Sequence, residues 1–408
     1  MDLSLTQQIL LWAFLIALVM GAVVNKTNFC TMGAVSDWVN MGDTGRIRAW
    51  LFAIAVALGG VMLMEAFAVA DMGLTTSNDT GQPPYRVASF VWPRYIIGGI
   101  LFGIGMTLGS GCGNKTMVRV GAGNLKSLVV LVVMGAAAAL MLYTSFDYYV
   151  FLQWMNPVSI DLAANGIQSQ EAGAILGGLL GVGNTAVVHY IIGAALVLFL
   201  VLFCFKAAEF HGRFDNILGG AVVGLAVIGG WYVTAGPLGQ AWLEEIMWAT
   251  TPPAAAGAQS YTFVSPSGQG LYYLASGLEG SLVTFAMMGM LGVIVGSLVW
   301  ALVTRGFRLE WFASLGDGVR HVTGGALMGI GGVLGMGCTI GQGVTGFSTL
   351  AVGSVLTFAS IVFGAALTMK VQYYRMVYEE EASFYSAFVT SLVDMHLLPK
   401  GLRRLEAI

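Results

Sequence analysis

The sequence predicts an all-α polytopic membrane protein, with about nine transmembrane helices plus short re-entrant or broken helices, built as an inverted internal repeat. Three observations carry this. Hydrophobic residues fill 57% of the 408 positions and charged residues 10%, against roughly 25% charged in a soluble domain; the mean hydropathy is +0.80. Apolar runs recur at about the 20-residue length that spans a bilayer. The stretch Arg94–Cys112 slides without a gap onto Arg320–Cys338 and matches at 11 of 19 positions. The paired Arg and paired Cys are rare residues here, so the match is an internal repeat and not only shared glycine.

The elements follow in order. Ile9–Val24 is preceded by one acid, Asp2, and no base, so it reads as a first span at 8–24 and not as a signal peptide. No small residue precedes Cys30 in lipobox fashion. Asn25–Thr31 breaks the span, and a short re-entrant segment follows to about Asn40. The second span is Trp50–Ala70, and 71–92, with Pro83 and Pro84, is a loop. The third span is Arg94–Gly109; it ends at Gly111-Cys112-Gly113, followed by a polar patch with Lys115 and Arg119, and the fourth span opens after Asn124. Ser145–Glu171 reads as an interfacial segment plus loop, and 172–183 carries no clear assignment. Later spans are Val187–Phe205, Ile217–Thr234, about 277–304, Val319–Met336 and Thr349–Met369. The whole is one membrane domain: 1–205 is the first half-repeat, 206–369 the inverted second, and 370–408 a cytoplasmic tail.

Charge sets the orientation. Segments 40–49, 206–215, 305–320 and the tail are basic; the N-terminus, 145–186 and 237–276 lack bases, and 71–93 holds only Arg86. Nine crossings from an outside N-terminus place every basic loop inside, with the C-terminus cytoplasmic. Ten crossings would put two basic regions outside. The third span then enters from outside and its copy from inside, as in transporters built from inverted repeats with broken helices. A weaker parallel aligns Gly21–Val24 before Cys30 with Gly224–Val227 before Val233.

Three of the four cysteines, Cys30, Cys112 and Cys338, sit in Gly- or Thr-flanked breaks. Cys204 lies in an ordinary apolar span and reads as helix surface. Around the breaks lie Asn28 and Thr31, then Asn114, Lys115 and Arg119, then Thr339, Gln342 and Thr345. Donors outnumber carboxylates, and helix N-termini favour anions, so an anionic solute is expected. A thiol is a weak donor and a soft partner for sulfur, and a nearby Lys makes it more nucleophilic. Against this, a buried Cys often only packs, and Lys115, Arg119, Arg94 and Arg320 can serve as interfacial anchors. Glu65 and Glu279, in or near spans, are candidates for proton coupling. The four His are scattered, Met residues read as packing rather than a copper ladder, and no Ser-His-Asp set, P-loop or dinucleotide fingerprint occurs. No enzyme, no resident cofactor and no metal site is expected, and a net charge of −3 gives no sign of nucleic acid.

The motifs N-K-T-N-F-C-T-M-G-A around Cys30, G-S-G-C-G-N-K-T around Cys112 and G-M-G-C-T-I-G-Q-G around Cys338 resemble those of the YeeE/YedE family of bacterial inner-membrane proteins, which import sulfur compounds. The resemblance covers most of the chain. It implies a thiosulfate transporter in which short helices from both faces meet at a central constriction. Cys30, Cys112 and Cys338 would line the route, and the solute would pass by brief thiol-to-sulfur hydrogen bonds. It also implies a small cytoplasmic sulfur-carrier partner of the TusA type, or a selenium species as substrate in some members. The long base-poor stretches 145–186 and 237–276 depart from shorter members. The competing readings are a membrane sulfurtransferase relaying a persulfide, and soft-metal transport.

Overall fold

The computed structural model describes residues 3–73, 85–379 and 382–406; Asp2, Pro83 and Pro84 lie outside the described residues. In chain order the helices are α1 (Leu5–Thr27), α2 (Thr31–Ser36), α3 (Gly45–Ala66), α4 (Trp92–Leu108), α5 (Gly113–Gly121), α6 (Leu125–Tyr143), α7 (Gln153–Met155), α8 (Ala172–Leu180), α9 (Thr185–Phe205), α10 (Ala208–His211), α11 (Phe214–Ala235), α12 (Pro237–Met247), α13 (Ser265–Ala275), α14 (Phe285–Val303), α15 (Leu315–Leu334), α16 (Val352–Val377) and α17 (Phe384–Asp394). The only sheet among the described residues pairs β1 (Ser89–Phe90) with β2 (Ile160–Asp161). Side chains set several helix starts: Ser4 and Gln7 cap α1 reciprocally, and Asn124, Thr284, Ser314 and Ser383 each accept a backbone N–H of the next turn.

Eight helices of the described residues are long and apolar enough to cross a membrane. The ninth expected crossing is α15. It has 20 residues, but Asp317, Arg320 and His321 in its first two turns make it less apolar. It packs against α4 and α6, as a crossing helix would.

α4 and α15 meet through their glycine faces and run antiparallel. A Cβ on Gly98 would stand 2.3 Å from the Gly335 nitrogen, and one on Gly324 would stand 2.4 Å from the Gly109 nitrogen. Likewise Gly105 faces Met328 and Gly331 faces Phe102. In the repeat register Gly98 corresponds to Gly324, Gly109 to Gly335, Gly105 to Gly331 and Phe102 to Met328. Every contact therefore occurs twice with its members exchanged, the mark of a two-fold axis. The larger pairings obey the same exchange: α1 on α14 mirrors α11 on α3, and α4 on α16 mirrors α15 on α6.

Several expectations need correction. The polar patch after Cys112 is itself a helix, α5. Segment 258–264, expected in an external loop, runs through the core: Ala258, Tyr261, Phe263 and Val264 are fully buried, and the Tyr261 hydroxyl donates to the Ala13 carbonyl at 2.8 Å. α13 then packs on α6 as α2 packs on α16. The counterpart of Cys30, the residue capping α2, is thus Val264, which caps α13. Val233, suggested by the sequence parallel, lies within α11. Cys204 is buried, and its thiol donates to the Arg48 carbonyl at 3.2 Å. The last crossing helix runs to Val377, beyond Met369.

Candidate functional site

The three breaks share one backbone design. Two residues before each cysteine stands a non-glycine residue with positive φ: Asn28 (52°), Ser110 (58°) and Met336 (61°). Left-handed backbone at such residues costs roughly 1–2 kcal/mol each, and its recurrence at one offset marks a built feature. At the two repeat-related breaks the closing bonds also match. Gly111 N–H reaches the Met106 carbonyl at 2.9 Å, and Gly337 N–H reaches the Gly332 carbonyl at 2.7 Å. These satisfy the last carbonyls of α4 and α15 in the Schellman manner. The chain then turns, and Cys30 caps α2 while Cys112 caps α5, both in extended conformation.

The turns bring the cysteines into the buried centre. Cys30 is 4% exposed, and Cys112 and Cys338 are 0% exposed. All are free thiols. Cys30 and Cys112 are thiol neighbours, and the Thr339 side chain lies against Cys112. Cys338 accepts the Gly341 N–H at 3.4 Å, with the Thr262 hydroxyl 4.0 Å away. Thr262 belongs to the buried 258–264 segment, which also supplies a carbonyl, that of Tyr261, to the Thr345 hydroxyl at 2.8 Å. Lys115, mostly buried, donates to the Asn28 side-chain oxygen, so the first and second breaks are tied together.

Polar groups of this core are left without partners. Among the buried side-chain atoms that make no hydrogen bond are the Thr31 and Thr339 hydroxyls and both amide atoms of Asn114. One follows each of Cys30 and Cys338 directly, and Asn114 follows Cys112 by two. Buried polar groups are nearly always bonded, and an unpaired one costs about 1–3 kcal/mol. Four such atoms, each within two residues of one of the three thiols, are free to bond a ligand.

The other predicted residues do different work. The Gln342 amide donates to the Gly335 carbonyl at 2.8 Å and accepts from Ser354 at 2.5 Å. It therefore braces the third break. Arg119 donates to the Ser110 carbonyl at 2.5 Å and lines a cavity of about 430 Å³ with Lys126, Arg308, Glu310, Asp317 and His321. A second cavity, about 530 Å³, is lined by Asn28, Asp37, Arg46, Arg213 and Asp215. Arg46, read from sequence only as a loop base, donates to the Asn28 carbonyl at 2.9 Å and pairs with Asp37 at 3.0 Å. The paired arginines of the repeat diverge. Arg94 turns inward to the Leu334 carbonyl at 2.9 Å, whereas Arg320 is exposed. Glu279 is exposed on a turn, and Glu65 is ion-paired at the end of α3.

Known proteins resemble this chain over most of its length. The chain is 24% identical over 381 residues to a protein of Spirochaeta thermophila named thiosulfate transporter TsuA, covering 87% of this chain and 96% of that one. It is also 24% identical over 341 residues to the Escherichia coli protein of the same name, covering 79% and 82%. The family model described as sulphur transport matches residues 26–367. That span takes in all three breaks and both copies of the repeat: the chain belongs to the sulphur transport (YeeE/YedE) family, whose named relatives are transporters of a sulfur compound.

Proposed function

We propose that the protein imports thiosulfate, or a closely related sulfur oxyanion, along a path on which Cys30, Cys112 and Cys338 are successive soft contacts. The observation that carries this reading is the set of unpartnered buried atoms on Thr31, Asn114 and Thr339, each within two residues of a free buried thiol. A sulfonate-like oxygen can accept from the hydroxyls and the amide, while a terminal sulfur accepts the weak S–H donors. Lys115 supplies the charge that draws a dianion into an apolar surround, and Arg119 and Arg46 stand at the two charged cavities leading away. The positive-inside rule supports a cytoplasmic side for those cavities and for the C-terminus. Delivery to a small sulfur-carrier protein of the TusA type suits that exit. No chemical transformation of the solute is required.

Two expected results follow. In proteoliposomes, Lys115→Met raises the KM for labelled thiosulfate by about 10- to 100-fold, the worth of one charge-assisted hydrogen bond; an unchanged KM removes Lys115 from the path. Thr339→Val, which keeps the shape and deletes a hydroxyl whose one polar neighbour is the Cys112 thiol, lowers uptake while leaving thermal stability within about 1 kcal/mol. If stability falls with uptake, the hydroxyl is structural.

The adjacency of Cys30 and Cys112 also favours a second reading, in which one thiolate attacks the outer sulfur of thiosulfate, the S–S bond breaks, sulfite leaves, and the resulting persulfide passes its sulfur on. Mass spectrometry of protein purified after thiosulfate exposure separates the two. A stable persulfide on Cys30 or Cys112 supports the relay; unmodified thiols in a transport-competent protein support passage.

A further inference from the structure

Away from the cysteines, four ionisable side chains close on one another at the opposite end of the molecule from the two charged cavities. Arg86 grips Glu65 with both terminal nitrogens, at 2.7 and 3.1 Å, and its Nε lies 3.6 Å from a Glu171 oxygen. His189, near the start of α9, is held between the two acids: Nδ1 contacts Glu171 and Nε2 lies 3.3 Å from Glu65. The His189 side chain is 7% exposed and its Nε2 has no well-formed hydrogen bond. Among the described residues, Tyr190 is the other titratable group facing the cluster.

The charges decide the chemistry. Two carboxylates and one guanidinium leave a buried excess of one negative charge. A neutral imidazole has one donor nitrogen and one lone-pair nitrogen. Here both ring nitrogens face carboxylates, so a neutral ring must turn a lone pair on an acid. Only the imidazolium satisfies both, and it brings the cluster to neutrality. Leaving a charge unpaired in such a place is strongly destabilising.

The cluster is wired to the third break. Arg86 Nε donates to the Thr349 carbonyl at 3.1 Å, and its neighbour Tyr85 donates to the Gly341 carbonyl at 2.8 Å. On the far side of Glu171, Ala172 N–H reaches the Leu350 carbonyl, and Val352 N–H reaches the Gln170 carbonyl. Residues 85–86 and 170–172 therefore clasp both ends of the π-helical and 3-10 stretch Gly341–Thr349 that follows Cys338. Glu65 and Glu171 side chains keep 16% and 15% exposure, which gives water, and a proton, a way in.

We propose that Glu65, Arg86, Glu171 and His189 form a proton-binding site that gates the anion path: with the proton bound the clasp holds the Cys338 segment in the buried arrangement described above, which blocks passage, and loss of the proton from His189 releases it. The proposal rests on the transport reading and adds its control. The sign is fixed by the charges: uptake rises as the pH on the cluster's side rises.

The test is initial uptake of labelled thiosulfate by proteoliposomes, with internal pH fixed and external pH varied over about 6 to 10, a range that extends well above that of a free imidazole. Thiosulfate is fully ionised throughout, so its own charge is constant. Wild type shows a several-fold rise. His189→Gln, which cannot carry the charge, is pH-independent at the high level. His189→Lys, which keeps it, is pH-independent at the low level. Both variants are first shown monodisperse in detergent. A merely structural histidine lowers uptake in both variants alike, and that result, or a flat wild-type profile, overturns the gate while leaving transport standing. Absence of uptake by wild type at every pH removes the transport reading, and the gate with it.

Discussion

Cys112→Ala is expected to reduce thiosulfate uptake to the background of empty vesicles, and to abolish growth on thiosulfate as sole sulfur source in a host lacking other uptake systems. Cys112 caps α5, neighbours Cys30 and carries Thr339 against it. It is the one thiol placed to touch both other breaks. Alanine at an extended cap position keeps the backbone conformation. The loss in packing is one sulfur atom, on the order of 1 kcal/mol, so the variant should fold and remain monodisperse. Cys338→Ala is expected to behave alike, because its thiol occupies the repeat-related place. Cys204→Ala is the control. It loses a bond to the Arg48 carbonyl, worth about 1 kcal/mol, and should transport at the wild-type rate. Wild-type uptake by the Cys112 and Cys338 variants would remove the thiols from the mechanism.

The second large effect concerns the axis on which the breaks are mounted. Gly98→Ala puts a methyl 2.3 Å from the backbone nitrogen of Gly335, the residue that caps α15. No rotamer change relieves a clash with main chain, so α4 and α15 must part. Overpacking of this kind costs about 1–3 kcal/mol, and here it also displaces both Cys112 and Cys338. The two-fold relation makes a sharper demand. Gly324→Ala, its mate, meets the Gly109 nitrogen at 2.4 Å and should lower the melting temperature by a similar amount. Gly280→Ala, with nothing within 4 Å of its Cβ, should be neutral. Thermal unfolding in detergent of the three variants decides the matter; a neutral Gly98→Ala contradicts the close crossing.

What could be read from sequence was whatever leaves a local signal. The breaks at Cys30, Cys112 and Cys338 stood out because Gly, Asn and Cys interrupt apolar runs. The repeat stood out because its glycines are needed for contact, so their spacing is constrained. α5 was hidden: Lys115 and Arg119 make Gly113–Gly121 look like a loop, and only burial against α14 and α6 allows it to be a helix there. The buried run 258–264 was hidden for the opposite reason. It follows Pro252 and Pro253 and lacks a 3.6-residue period, so its burial depends on groups far along the chain, such as Ala13 and Thr345. The four-residue proton cluster left no motif, since Arg86 lies 21 positions from Glu65 and His189 lies 18 from Glu171. Glu65 could be flagged as an acid near a span, but its partners come from elements joined only in three dimensions. The unpaired state of Asn114, Thr31 and Thr339 is likewise a property of packing and cannot be inferred from residue type.

The central claim is that the solute meets the three thiols in the buried core. It is tested most directly by locating the ligand itself. Selenosulfate, the analogue with selenium for the terminal sulfur, scatters anomalously, and crystals of the wild-type protein soaked in it report the position of that atom. The account predicts an anomalous peak in contact with the Cys112 sulfur, between Cys30 and Thr339, with oxygens toward Asn114. A peak confined to the charged cavities beside Arg119 or Arg46, with the core thiols unoccupied, would contradict it.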